Sequence, residues 1–177
     1  FNATISWAMI ENLDNDENTG PNSKRGHEDY KAGINENHAR ELMELHSISP
    51  NAGYTQDDVI QAAYIMSGWK HKWTEGRKKF NPVRFDGYSH QPGKKIVMGK
   101  TYEGGKKELR AFTNDLSNHP ACKKFIATKL CRHFITDNPT NEMIKPIITA
   151  WTKSNGSLPV IHKAVIQVAY EYSGKEK

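Results

Sequence analysis

Four side chains that carry or accept protons stand on faces that the surrounding sequence marks as apolar. In the stretch from Asn35 to Ile48 the inward stripe is Ile34, Leu42, Leu45 and Ile48, and both His38 and Glu41 project from within it. After Pro120 the stripe is Cys122, Ile126, Leu130 and Phe134, and Lys129 and His133, four apart, fall in its middle. A buried carboxylate or ammonium without a partner is costly, so the economical arrangement packs these two helices together and lets Glu41 meet Lys129 or His133. The expectation is a buried polar cluster of His38, Glu41, Lys129 and His133. Two chemistries fit it. One is a core ion pair that fixes helix register. The other is catalytic, with Glu41, Lys129 and His133 as the candidates and Glu41 as a general base, or as a metal ligand beside His46 or His90. Arg40 and Glu44 pair further out on the same helix.

Familiar motifs are approached and missed. Asp14, Asp16 and Asn18 alternate like the first ligands of a calcium loop, but Thr19 stands where the turn needs Gly and Arg25 where it needs Glu, so this stretch reads as a solvated polar loop. Gly99-Lys100-Thr101 lacks the upstream glycine spacing of a phosphate loop and a helix start behind it. Cys122 and Cys131 lie on opposite faces of one expected helix, which leaves two free thiols. Neither a Gly-x-Ser-x-Gly elbow nor a His-Glu-x-x-His pair occurs. No cofactor is implied.

The elements that must position these residues are mostly helical. The chain has 177 residues, 36% hydrophobic and 25% charged, the make-up of a globular domain able to bury its own core. No apolar run reaches the ~18 to 20 residues of a membrane span. The fold class is therefore mainly α, a compact helical domain of about six or seven helices over residues 1–177, with one small antiparallel β-hairpin. A helix ends near Leu13, and Asp14 to Gly33 is a loop. A second helix runs from Asn35 to Ile48. A third starts at Thr55, which with Asp58 resembles a capping box, and ends near Gly68. Val83 and Phe85 pair with Ile96 and Val97 across a turn at Gln91-Pro92-Gly93. Four helices follow, with stripes led by Leu109, Phe112 and Leu116, by the run from Pro120, by Ile144, Ile147 and Trp151, and by Ile161, Val165 and Val168. Pro146 predicts a late start or a kink, and Gly156 a stop.

Charge is uneven. The formal net charge is +5, yet Trp69 to Lys107 alone holds eleven Lys and Arg against three acidic residues, a local +8. Aromatic residues are interleaved with these cations, so the hairpin insertion at about 70–105 offers a basic binding surface of Lys70, Lys72, Trp73, Lys78, Lys79, Lys94 and Lys95. Acidic polysaccharide or another anionic surface suits it, with nucleic acid a weaker choice. A lysine-rich solvated face whose aromatics anchor the hairpin is the plain alternative.

The run Asn35 to His46, then Gly53-Tyr54-Thr55-Gln56-Asp57-Asp58-Val59 and Gly68-Trp69, resembles the bacterial domain-of-unknown-function family numbered eighteen hundred. The likeness continues through Phe85 to Gly99, His119-Pro120, Phe125-Ile126-Ala127 and Lys129-Leu130. The resemblance implies a C-terminal portion of a longer, exported, extracytoplasmic bacterial protein with an alkaline-phosphatase-like exported partner, and it implies no reaction. If the family's shared polar positions form a site, Arg40, Glu41, Glu44 and Lys129 carry over. His38 stands where Tyr is usual, and Gln91 follows His90 where His-Asp is usual. Together these readings give a binding or assembly module for a polyanionic partner, the alternative being a metal-assisted hydrolase using Glu41 with His90 or His46.

Overall fold

The computed structural model describes residues 1–71 and 83–173. Lys72, Trp73, Lys78 and Lys79 of the expected basic surface lie outside the described residues. Eight α-helices and two antiparallel strand pairs are present among the described residues, so the chain is mainly α as its periodicity predicts. They form two compact units, one of Phe1–His46 with Pro50–Asn114 and one of Ser47–Ser49 with Asp115–Lys177.

The first unit holds α1 (Trp7–Asn12), α2 (Lys24–Glu28), α3 (Asn37–Glu44), α4 (Gln56–Met66), β1 (Trp69–His71), β2 (Val83–Phe85), β3 (Lys95–Val97), β4 (Lys100–Tyr102) and the first turns of α5 (Glu108–Asn118). Helix α4 begins with the capping box expected of Thr55 and Asp58: the Asp58 backbone N–H donates to Thr55 Oγ1, and the Thr55 N–H donates to Asp58 Oδ2 at 2.7 Å. Asp58 Oδ1 accepts a further bond from the Met98 N–H at 2.5 Å, which ties the β3–β4 turn to the start of α4. Burial would push the Asp58 carboxyl up, but these backbone donors and the Thr55 hydroxyl outweigh it and hold it below the ordinary carboxylate range.

The strands pair differently from the expected hairpin. Trp69 faces Phe85 and His71 faces Val83, while Lys95 faces Tyr102 and Val97 faces Lys100. Gln91-Pro92-Gly93 therefore joins two separate ribbons and is not the turn of one. The turn of β3–β4 is Met98-Gly99, both at positive φ (50° and 77°), the two-residue geometry whose twist suits a hairpin.

The polar stretch from Asp14 to Gly33 is also not a solvated loop. Asn15, Asn18, Thr19 and Ser23 are buried, and α2 lies within the stretch. The Asn18 amide donates to the Ala63 carbonyl at 2.9 Å and the Asn15 amide to the Met66 and Trp69 carbonyls at 3.2 and 2.7 Å. The loop thereby satisfies carbonyls at the end of α4 that a helix terminus leaves open. In α3 the buried face is His38, Ala39, Leu42 and Met43, whereas Ile34 and Leu45 are exposed. The helix ends at Glu44, so a stripe extended to Ile48 at helical period loses its register.

The second unit contains α6 (Pro120–Phe134), α7 (Asn141–Lys153) and α8 (Leu158–Tyr172). Pro120 opens α6 at the first position, after His119, whose Nδ1 accepts the Ala121 N–H at 3.2 Å. Helix α7 starts at Asn141 and carries Pro146 inside it, then stops at a turn where Asn155 and Gly156 have φ of 50° and 82°. The core is Ile144, Ile147, Trp151, Ile161, Val165 and Val168 with small α6 residues, Ala127 and Cys131, against it. Cys131 Sγ lies 3.9 Å from the Met143 carbonyl of α7. Small side chains at that contact let helices approach closely.

Candidate functional site

The first unit draws its buried charges to one point. Ser67 and Gly68 end α4, Gln91 to Lys95 lead into β3, and Glu108 opens α5. Between them Lys95, His90 and Glu108 are 1%, 6% and 4% exposed. Two glycines make the approach feasible. Gly68, at φ 78°, would place a Cβ 2.4 Å from the Asp86 carbonyl oxygen and 3.0 Å from His90 Cβ, and Gly20 would place one 2.4 Å from Gln91 Cα. Ser67 Oγ accepts the Gln91 N–H at 2.8 Å while donating to the Tyr64 carbonyl at 2.7 Å. The Phe85 ring covers His90 with centroids 4.8 Å apart.

Lys95 Nζ has three acceptors: the Gln91 carbonyl at 2.6 Å, Glu108 Oε1 at 2.8 Å and His90 Nε2 at 3.2 Å. An ammonium has three hydrogens, one for each. His90 Nδ1 then carries the imidazole proton and donates it to the Ser67 carbonyl at 2.8 Å, leaving Nε2 to accept from the Gly105 N–H as well, at 3.2 Å. Nε2 and Glu108 Oε1 lie 2.9 Å apart. The knot thus brings a lysine, a glutamate and an imidazole within hydrogen-bond distance of one another, away from water. Glu108 Oε2 is buried with no hydrogen-bond partner among the described residues. As arranged, these groups lock the end of α4, the start of β3 and the start of α5 together.

The expected cluster of His38, Glu41, Lys129 and His133 is not a buried one. His38 alone is sequestered. Glu41 is half-buried on α3, and Lys129 and His133 are exposed on α6, where the Lys129 ammonium lies 4.5 Å over the Phe125 ring. Periodicity misplaced them because α6 buries Cys122, Ala127 and Cys131 and leaves Phe134 61% exposed. His38 sits at 0% exposure with neither ring nitrogen hydrogen-bonded among the described residues, and burial, aided by His46, lowers its pKa to about 4. Arg40 pairs with Glu36, at 2.6 Å, in place of the expected Glu44, and with Gln56 at 2.9 Å it pins α3 to α4.

Of the expected metal ligands, His46 is exposed and His90 is spent in the knot. No group of three or more His, Cys, Asp or Glu able to hold a metal occurs among the described residues. Two lysines assigned to a basic surface are interior struts. Lys95 belongs to the knot, and Lys70 is 5% exposed with its ammonium donating to the Asp16 carbonyl. Lys94 is exposed and pairs with Glu103 at 3.1 Å. Cys122 and Cys131 are free thiols, as their spacing requires.

A family model described as "Protein of unknown function (DUF1800)" matches residues 2–176. The chain belongs to that family. No curated protein and no solved structure matches it. The stretches that carry the DUF1800 resemblance, Gly68-Trp69 and Phe85 to Gly99, supply the glycine and the imidazole at the centre of the knot. The Asn35 to His46 stretch supplies α3 with its Arg40 clamp. The family description assigns no reaction to either.

Sequence reasoning missed Glu108 and assigned Lys95 to the surface, because the signals were short. Strand alternation places Lys95 on the same face as buried Val97, and helical spacing places Glu108 on the same face as buried Phe112. With three strand residues and one turn of helix, neither pattern stands out until the elements are known.

Proposed function

We propose that the chain is a non-catalytic binding module whose β3–β4 hairpin presents cations to a polyanion, acidic polysaccharide outside the cytoplasm being the partner of choice. The observation that carries this reading is the placement of Lys94, Lys100, Lys106 and Lys107. All four are exposed, and all four lie on the hairpin and the following turn, which the knot holds from beneath through Lys95 and Glu108. A firmly held backbone beneath clustered cations raises local affinity for anions with less to order on binding. Lys95 and Lys70 are withdrawn from the binding set, because their ammonium groups are engaged inside the unit.

Retention on immobilised heparin, eluted by salt, tests the reading. The Lys94→Glu/Lys100→Glu/Lys106→Glu/Lys107→Glu variant should elute at far lower salt than the parent, since screened surface charge dominates such binding. Equal elution of variant and parent removes the proposal.

A further inference from the structure

Helix α6 carries a second surface, in the second unit, that the hairpin reading leaves unused. Ile126, Leu130 and Phe134 recur every four residues, the spacing of a face patterned for burial. Within this chain that burial is incomplete: Ile126 and Leu130 are half-buried, and Phe134 is 61% exposed. The row is concave. Phe134 borders a shallow depression along Lys129, Leu130 and His133 on one side. On the other it borders a cleft of about 220 Å³ lined by Ile135, Met143, Ala169 and Tyr172.

Charge says what covers the row. Helix α6 contains Lys123, Lys124, Lys129 and Arg132 and no Asp or Glu. At 100° per residue Lys129 and His133 fall on one flank of the apolar row, Arg132 lines the same depression, and all three are exposed. The His133 ring stands edge-on to Phe134 with centroids 4.5 Å apart, so the cationic flank and the apolar row adjoin directly. We infer that this α6 groove docks an acidic amphipathic helix of a partner protein, its large apolar side chains seated on either side of Phe134 and its carboxylates along Lys129, Arg132 and His133. Helix-in-groove recognition uses the same apolar spacing from the partner's side. A cleft beside an exposed ring suits an inserted side chain better than the smooth plane of a bilayer.

The test uses the whole chain and a fluorescein-labelled helical peptide with leucines at i, i+4 and i+7 and glutamates along the flanking positions, followed by fluorescence anisotropy. Phe134→Ala and Lys129→Glu/Arg132→Glu alter exposed side chains, so both variants should melt like the parent while binding the peptide at least about tenfold more weakly. A peptide with lysines in place of its glutamates should regain affinity for the charge-reversed variant, a result that a merely structural role for Lys129 and Arg132 would not give. Any of four outcomes overturns the inference: no binding by the parent, equal binding by the variants, equal binding of polyglutamate without leucines, or capture by phosphatidylglycerol vesicles with none by the peptide.

Discussion

Lys95 Nζ and Glu108 Oε1 meet at 2.8 Å with their side chains only 1% and 2% exposed, an ion pair removed from water between a strand and the first turn of a helix. Such a pair gains little over a well-packed apolar pair, but breaking it strands a charge. Lys95→Met or Glu108→Leu alone should therefore cost ~3 to 5 kcal/mol in urea denaturation. Lys95→Met combined with Glu108→Leu should recover much of that loss. Single variants that lose less than about 1 kcal/mol would show that the pair is hydrated in solution.

His38 makes a prediction with a definite sign. Its pKa is lowered from 6.5 to about 4, first by burial and then by His46. The unfolded chain therefore binds a proton where the folded chain does not. The stability contributed is full above pH 6.5 and is lost as pH falls from 6.5 towards 4, about 3 kcal/mol across the window on the usual 1.36 kcal/mol per unit. Asp58, whose carboxyl is held low, loses its contribution only as pH falls through the carboxylate range, so the two are separable. His38→Phe should flatten the dependence of denaturation midpoint on pH between 6.5 and 4.5, judged against the variant's own value at pH 7. An unchanged slope would place the imidazole in water.

The loop that sequence marks as solvated should behave as core. Asn18→Ala removes the amide that donates to the Ala63 carbonyl and the Oδ1 that accepts the Asn35 N–H, at 2.9 and 3.2 Å. Leaving a buried carbonyl unmet costs about 1 to 3 kcal/mol. Gly20→Ala should be as damaging for a different reason, since its methyl would meet Gln91 backbone at 2.4 Å with no flexible side chain to yield. Tolerance of both changes would return this stretch to the surface.

How much of this was legible follows from the length of each element. The capping box of α4, the stop at Gly156 and the stripes of α5, α7 and α8 were readable because several residues repeat one instruction in a single helix. The interior position of Asn15, Asn18, Lys70 and Lys95 was not. Each is a polar residue whose burial is repaid by carbonyls or a carboxylate distant in sequence, such as Met66 and Trp69 for Asn15 or Glu108 for Lys95. Composition counts those residues as surface, and only the tertiary pairing shows otherwise. The same arithmetic misassigned α6, where small buried residues carry the packing and the large apolar row does not.

The two cysteines of α6 offer a check on that reassigned packing. Burial pushes the Cys122 thiol up to about 11, against a weaker opposing pull from Lys123, and burial pushes Cys131 up as well. The thiolate is the reactive form, so a rise of two units from 9 leaves about a hundredfold less of it at a given pH. Native protein at pH 8 should thus react with iodoacetamide at a small fraction of the rate of the unfolded chain, at both positions. Labelling that does occur must pass through local opening, so its rise with low urea measures how readily α6 leaves α7 and α8. Were Ile126, Leu130 and Phe134 the true inward row, Cys131 would face solvent and label at the free-thiol rate. Site-resolved mass spectrometry of the two alkylated peptides decides between these orientations of the helix.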